Sequence, residues 1–145
     1  MEPINIERFI EAQDRYGSYN TALQEIKNGR KRSHWIWYVF PQMRGLGYSR
    51  MSQEYGISSL SEAKAYWNNP ILHDRLLEIT EALLSHMGDS VWQIFGKIDA
   101  MKVRSCMTLF DHIAPHNVFR EVIDLFYNSR ICEKTLSLLK KEEDV

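Results

Sequence analysis

Two stretches of the chain bring together residue types suited to handling a charged ligand. The first runs Arg30-Lys-Arg-Ser-His-Trp-Ile-Trp-Tyr-Val-Phe-Pro-Gln42 and continues as Arg44-Gly-Leu-Gly-Tyr-Ser-Arg50. Arginine offers a fixed fork of donors to phosphate or carboxylate, an aromatic face stacks on a planar base, and glycine lets backbone N–H groups approach phosphate oxygens. A nucleotide-like ligand uses all three. The ligand-binding candidates are therefore Arg32, Ser33, Trp35, Trp37, Gln42, Arg44, Gly45, Gly47, Ser49 and Tyr55, with His34 as a phosphate donor or proton carrier. The competing reading fills the core with Trp35, Trp37 and Phe40, leaves the arginines in solvent and has Tyr48, Ser49 and Tyr55 merely tie the loop down.

The second stretch is Asp99-Ala-Met-Lys-Val-Arg-Ser-Cys-Met-Thr-Leu-Phe110. At 100° per residue Val103, Cys106, Met107, Phe110 and Ile113 form its apolar face, with Asp99 near the centre and Lys102 at the edge. A carboxylate there can stabilise a cationic sugar transition state, and the lysine an anionic leaving group or phosphate, which makes Asp99 and Lys102 the catalytic candidates beside His34. The alternative gives Asp99 only a helix-capping role and lets Lys102 reach outward.

Other chemistry has less to stand on. His73, His86, His112 and His116 form no His-x-Glu or His-Glu-x-x-His pattern, so no metal and no cofactor is expected. Cys106 has no base at a useful spacing. Gly45-Leu-Gly47 lacks the rest of a dinucleotide fingerprint, and no Walker-type Gly-Lys-Ser/Thr occurs.

The elements that must position these residues read as helices. Asn5 is expected to cap a helix with Ile6, Phe9 and Ile10 inward, and a second helix from Ser18 to Gly29 uses Ala22, Leu23 and Ile26. From His34 to Phe40 the β-branched and aromatic content suits a strand, while a serine cap at Ser33 and the helical surroundings favour a short buried helix that stops at Pro41; the period then breaks from Pro41 to Gly56. Ser59-Leu-Ser-Glu62 has capping-box spacing for a helix to Trp67. Asn69-Pro70 begins the firmest helix, with Leu72, Leu76, Ile79, Leu83 and Met87 as its stripe. Asp89, Asp99 and Asn117 are read as caps of later helices, and Ile131 to Leu139 as the last one. The expectation is an all-α single domain over 1–145, a compact bundle of about seven or eight helices. Its core spans about 5–140, an irregular Gly-containing loop follows the Trp-rich segment, and an acidic tail occupies 141–145.

Composition agrees. The chain has 145 residues, 44% hydrophobic and 12% aromatic, with two cysteines and a net charge of −1. One core of ordinary size needs no metal or disulfide staple at that length. No apolar run reaches the roughly 18–20 residues that cross a bilayer, and Met1 to Phe9 lacks a basic start followed by an apolar stretch, so the expected place is the cytosol, away from membranes. Near-neutrality conceals an uneven distribution: Lys27 to Arg50 holds six Lys or Arg and no acid. With a pI near 6.5, a small phosphorylated ligand is a better partner than nucleic acid, and oligomeric state is left open.

The combination of Ser33 to Gln42, Gly45-Leu-Gly-Tyr-Ser49 with Tyr55, Glu62-Ala with Tyr66, Asn69-Pro-Ile-Leu72 with Arg75-Leu-Leu-Glu78, and Phe95-Gly with Asp99, Lys102 and Ser105 to Phe110 resembles a bacterial family of unknown function. Members of that family often carry the automatic label "calpastatin". The resemblance spans roughly residues 5–140 and implies a compact all-α domain. It does not imply protease inhibition, because calpastatin is a disordered inhibitor of quite different composition. A looser similarity, in helical context and an aromatic-polar cleft, is to YbiA-like proteins of NAD and ADP-ribose chemistry. Together these readings suggest an uncharacterised protein that binds or hydrolyses a phosphorylated nucleoside or ADP-ribose-like ligand at an N-glycosidic bond. The alternative from another class is a noncatalytic interaction domain whose basic loop meets an acidic partner or nucleic acid.

Overall fold

A computed structural model describes residues 4–143, and helices make up most of them. In chain order they are α1 (Glu7–Asp14), a 3-10 turn (Arg15–Gly17), α2 (Ser18–Lys27), α3 (Ile36–Val39), α4 (Arg50–Tyr55), α5 (Leu60–Asn68), α6 (Pro70–Leu84), α7 (Val91–Phe95), α8 (Lys97–Ile113), α9 (Val118–Phe126) and α10 (Glu133–Glu143). The protein is an all-α single-domain bundle. Its centre is α8, which packs against α9, α7, α5, α10 and α3, while α6 holds α9, α2, α5 and α1. The apolar stripes explain this arrangement: Val103, Cys106, Met107 and Phe110 of α8 meet Leu72, Leu76, Ile79 and Leu83 of α6 and Phe119, Val122 and Ile123 of α9 in one buried cluster.

Local signals held at several helix starts. Asn69 Oδ1 accepts from Ile71 N at 3.0 Å and Leu72 N at 3.1 Å, with Pro70 in the first turn. Asn117 Oδ1 accepts from Val118 N at 2.7 Å. Ser59 caps α5 as expected, accepting from Glu62 N at 3.0 Å. Glu62 completes no capping box, however: its carboxylate turns to Arg8 and to Ser58 N.

Other boundaries moved. Asn5 caps nothing; α1 starts after Ile6, and Asn5 N donates to Glu62 Oε2 at 3.2 Å. Helix α6 stops at Leu84, which leaves Met87 outside the stripe and 66% exposed. Asp89 yields the cap position of α7 to Ser90. The Pro41–Gly56 stretch contains a helix, α4, begun by Ser49, whose hydroxyl accepts from Ser52 N at 3.1 Å. Gly56 sits there by necessity: a Cβ would lie 2.4 Å from Ser52 O and 2.8 Å from Arg44 Cα. The expected acidic tail is helical as far as Glu143. Glu142 accepts from Leu60 N at the start of α5 (2.8 Å and 2.9 Å), where a carboxylate meets the positive helix end, and Glu143 meets His112 at 2.7 Å.

Candidate functional site

The Trp-rich segment is anchored by a residue far back on α2. Glu25 accepts from Arg32 N at 2.8 Å, Ser33 N at 2.9 Å, Ser33 Oγ at 2.6 Å and Trp35 Nε1 at 2.9 Å. Partial burial opposes the charge, but these donors outweigh it and bring the carboxyl down to about 2. Ser33 is thereby a donor to Glu25, not the cap of the short helix, which begins after Trp35.

The same anchoring sets Lys31, 8% exposed, against Asp99. Lys31 Nζ lies 2.9 Å from Asp99 Oδ2, and Lys102 Nζ 3.2 Å from Asp99 Oδ1. Lys102 then stands 3.7 Å over the Trp37 ring, a cation–π contact. Asp99 does not cap α8. Gly96, at φ 80° and ψ 161°, breaks the chain between α7 and α8 in a conformation open essentially to glycine alone, so α8 begins at Lys97 and Asp99 falls inside its first turn.

Beyond Lys102 opens a cleft of about 780 Å³, within the usual range for small-molecule sites. Trp37, Gln42 and Gly47 form one side, α8 supplies Lys102, Arg104 and Ser105, and residues 129–134 at the entry to α10 close the other. Its charge is lopsided: Lys102, Arg104, Arg130 and Lys134 against Glu133. Among the described residues no carboxylate pairs with Arg104, Arg130 or Lys134, and the buried Arg104 Nε has no hydrogen-bond partner. Asn128 and Ser129, at φ 54° and 63°, hold the backbone of this rim in the left-handed region, a cost that rigid surroundings must offset.

A second, more polar cleft of about 530 Å³ lies on the other side of α3, between Arg15, His34, Tyr38, Arg50 and Tyr55. No group of three or more His, Cys, Asp or Glu among the described residues could hold a metal ion, and no described helix is long and apolar enough to cross a membrane.

A family model described as "Protein of unknown function (DUF1810)" matches residues 3–139. The chain belongs to this family. This DUF1810 chain is also similar to the conserved hypothetical protein Rv1873 from Mycobacterium tuberculosis, known from a crystal structure. The two share 40% identity over 96% of this chain and 99% of that one, with a TM-score of 0.90. No curated protein matches it.

The candidate residues of this DUF1810 chain divide between the two clefts. Trp37, Gln42, Gly47 and Lys102 line the first; Ser33, His34, Trp35 and Tyr55 line the second. Trp35 is 1% exposed and packs on Phe40 and Phe95, so its ring belongs mostly to the core. Arg32, Arg44, Gly45, Ser49 and Asp99 line neither of these clefts. Ser49 caps α4, and Arg44 N donates to Ile57 O at 2.8 Å. Sequence reasoning missed Glu25, Arg104, Arg130 and Cys132. Spacing gave no signal for Arg104, which lies two residues and about 200° beyond Lys102 on α8; Arg130 and Cys132 come from another helix end and gave none either.

Proposed function

We propose that the protein binds a small phosphorylated, nucleotide-like ligand in the 780 Å³ cleft between α8, α10 and the loop around Gln42 to Gly47. The observation that carries this reading is the set of cations around one cleft: Arg104 from α8 and Arg130 and Lys134 from the entry to α10 all line it, and no carboxylate among the described residues pairs with them. A phosphate in the cleft would give these guanidinium and ammonium groups charge-assisted hydrogen bonds. Trp37 beside Lys102 offers a partly exposed aromatic surface at the same wall for a base or sugar. Asp99, committed to two lysines, acts in this reading as the group that orients Lys102. Hydrolysis of an N-glycosidic bond has less support, because Asp99 stands behind the wall of the cleft and does not line it.

The alternative, a basic loop offered to an acidic partner or nucleic acid, loses Lys31, which is largely buried and paired with Asp99. The two unpaired cysteines accord with a reducing compartment such as the cytosol.

The test is a thermal-shift and calorimetric screen with ADP-ribose, NAD, nucleoside mono- and diphosphates and inorganic phosphate. A ligand at about a hundred times its Kd stabilises by about 2.7 kcal/mol. Arg104→Met is expected to retain the fold and lose at least about tenfold in affinity, equivalent to 1.4 kcal/mol. No shift with any member of the panel, or unchanged affinity in the variant, overturns the proposal.

A further inference from the structure

Cys132 immediately precedes α10, and its carbonyl accepts the first bond of that helix from Leu136 N at 3.3 Å. The positive end of an eleven-residue helix therefore lies against its side chain. Its backbone N donates to Thr108 Oγ1 at 2.9 Å, which fixes the residue against α8. Ser105 Oγ lies 3.3 Å from the sulfur and 3.1 Å from Met101 O. A hydroxyl has one proton, so Ser105 can donate to Met101 O while the thiol is neutral and turn to the sulfur when it ionises.

A second group points the same way. The Thr135 hydroxyl is fully buried and has no hydrogen-bond partner of ordinary geometry. It and the Thr135 N–H stand in the first turn of α10, three residues after Cys132. Burial raises the Cys132 thiol, but Ser105, Thr135 and the Arg104 charge outweigh it and leave the thiol below its ordinary value. Cys106 contrasts sharply: wholly buried on the apolar face of α8, its thiol is pushed well up.

Access decides what such a thiol can meet. Cys132 is 8% exposed, and the cleft it lines is the one bordered by Lys102, Arg104, Arg130 and Lys134, with Glu133 the one carboxylate among its lining residues. We infer that Cys132 is a reactive thiol that exchanges with anionic low-molecular-weight disulfides admitted by this basic cleft. In the step, the Cys132 sulfur attacks one sulfur of the reagent. The reagent S–S bond breaks, a mixed disulfide forms on Cys132, and the other half leaves as a thiolate that takes a proton from water. One half of the reagent is reduced as Cys132 is oxidised, so no further oxidant is required. The inference shares the cleft with the proposed function but not its ligand.

The experiment uses the full chain with glutathione disulfide, a net anion, and cystamine, a dication, and follows adduct formation by intact and peptide mass spectrometry. The ratio of the two rates is measured for the folded chain and for the same chain unfolded in urea, which removes intrinsic reagent differences. Folding is expected to raise the ratio in favour of glutathione disulfide by about tenfold or more, and added salt to lower it. Cys132→Ser should abolish the adduct, Cys106→Ser should keep it, and Arg104→Met should reduce the ratio. If Arg104→Met does not fold, the salt dependence of the wild-type ratio carries the same information. Labelling at Cys106, an equal ratio in the folded and unfolded chains, or no reaction before global unfolding overturns the inference. Charge-selective labelling without nucleotide binding refutes only the proposed function, and nucleotide binding without it refutes only this step.

Discussion

Glu25→Gln removes the charge that anchors the Trp-rich segment while keeping the shape of the side chain. The four donors around Glu25 hold its carboxyl at about 2 against an ordinary 4.5. At 1.36 kcal/mol per unit that displacement corresponds to roughly 3 kcal/mol. Solvent screening of a partly exposed group reduces it to about 1–2 kcal/mol. Because the folded value is depressed, the contribution is fully present above the unfolded value of 4.5 and is lost as pH falls towards 2. Urea and thermal unfolding of both proteins should therefore differ by about 1–2 kcal/mol, or about 3–8 °C in Tm, near neutral pH. Near pH ~3 the difference should shrink to under about half, since most of the linkage free energy has then been lost. An equal difference at both pH values would mean that the deficit comes from the acceptor lost when one carboxylate oxygen becomes an amide nitrogen, and not from the charge. No difference at neutral pH would mean that its four hydrogen bonds only replace those it makes with water, and either result refutes the reasoning.

Two further outcomes test the fold around the site. Gly56→Ala, whose new methyl meets the backbone at Ser52 O and Arg44 Cα, should cost about 3 kcal/mol or prevent folding, because neither contact is with a movable side-chain end; thermal unfolding reads this directly. Arg8→Leu strips Glu62, 1% exposed, of the guanidinium that lies 2.8 Å from its Oε1. It should cost about 3–5 kcal/mol in urea unfolding. That deficit should narrow in acid, where protonation removes the uncompensated charge that Arg8 normally holds below the ordinary carboxylate range.

The sequence by itself determined what depends on neighbours a few residues apart. A 3.6-residue apolar period is a local property, so the stripes of α6, α8 and α9 and the all-α class were legible. So were caps made by one side chain to the next turn, at Ser59, Asn69 and Asn117. The same spacing argument brought Lys102 and Asp99 together correctly. It failed where a local polar residue was claimed from afar. Ser33 became a donor to Glu25, Glu62 a partner for Arg8, and Asp99 one end of a pair with Lys31. Only the tertiary structure decided which polar residues share a wall, because a cleft joins helix ends that the chain separates by tens of residues. Packing of α10 on α8 sets Cys132 beside Ser105 and brings residues 129–134 opposite Trp37 and Gly47. No period or spacing encodes that meeting; the burial of the apolar faces on either side of it does.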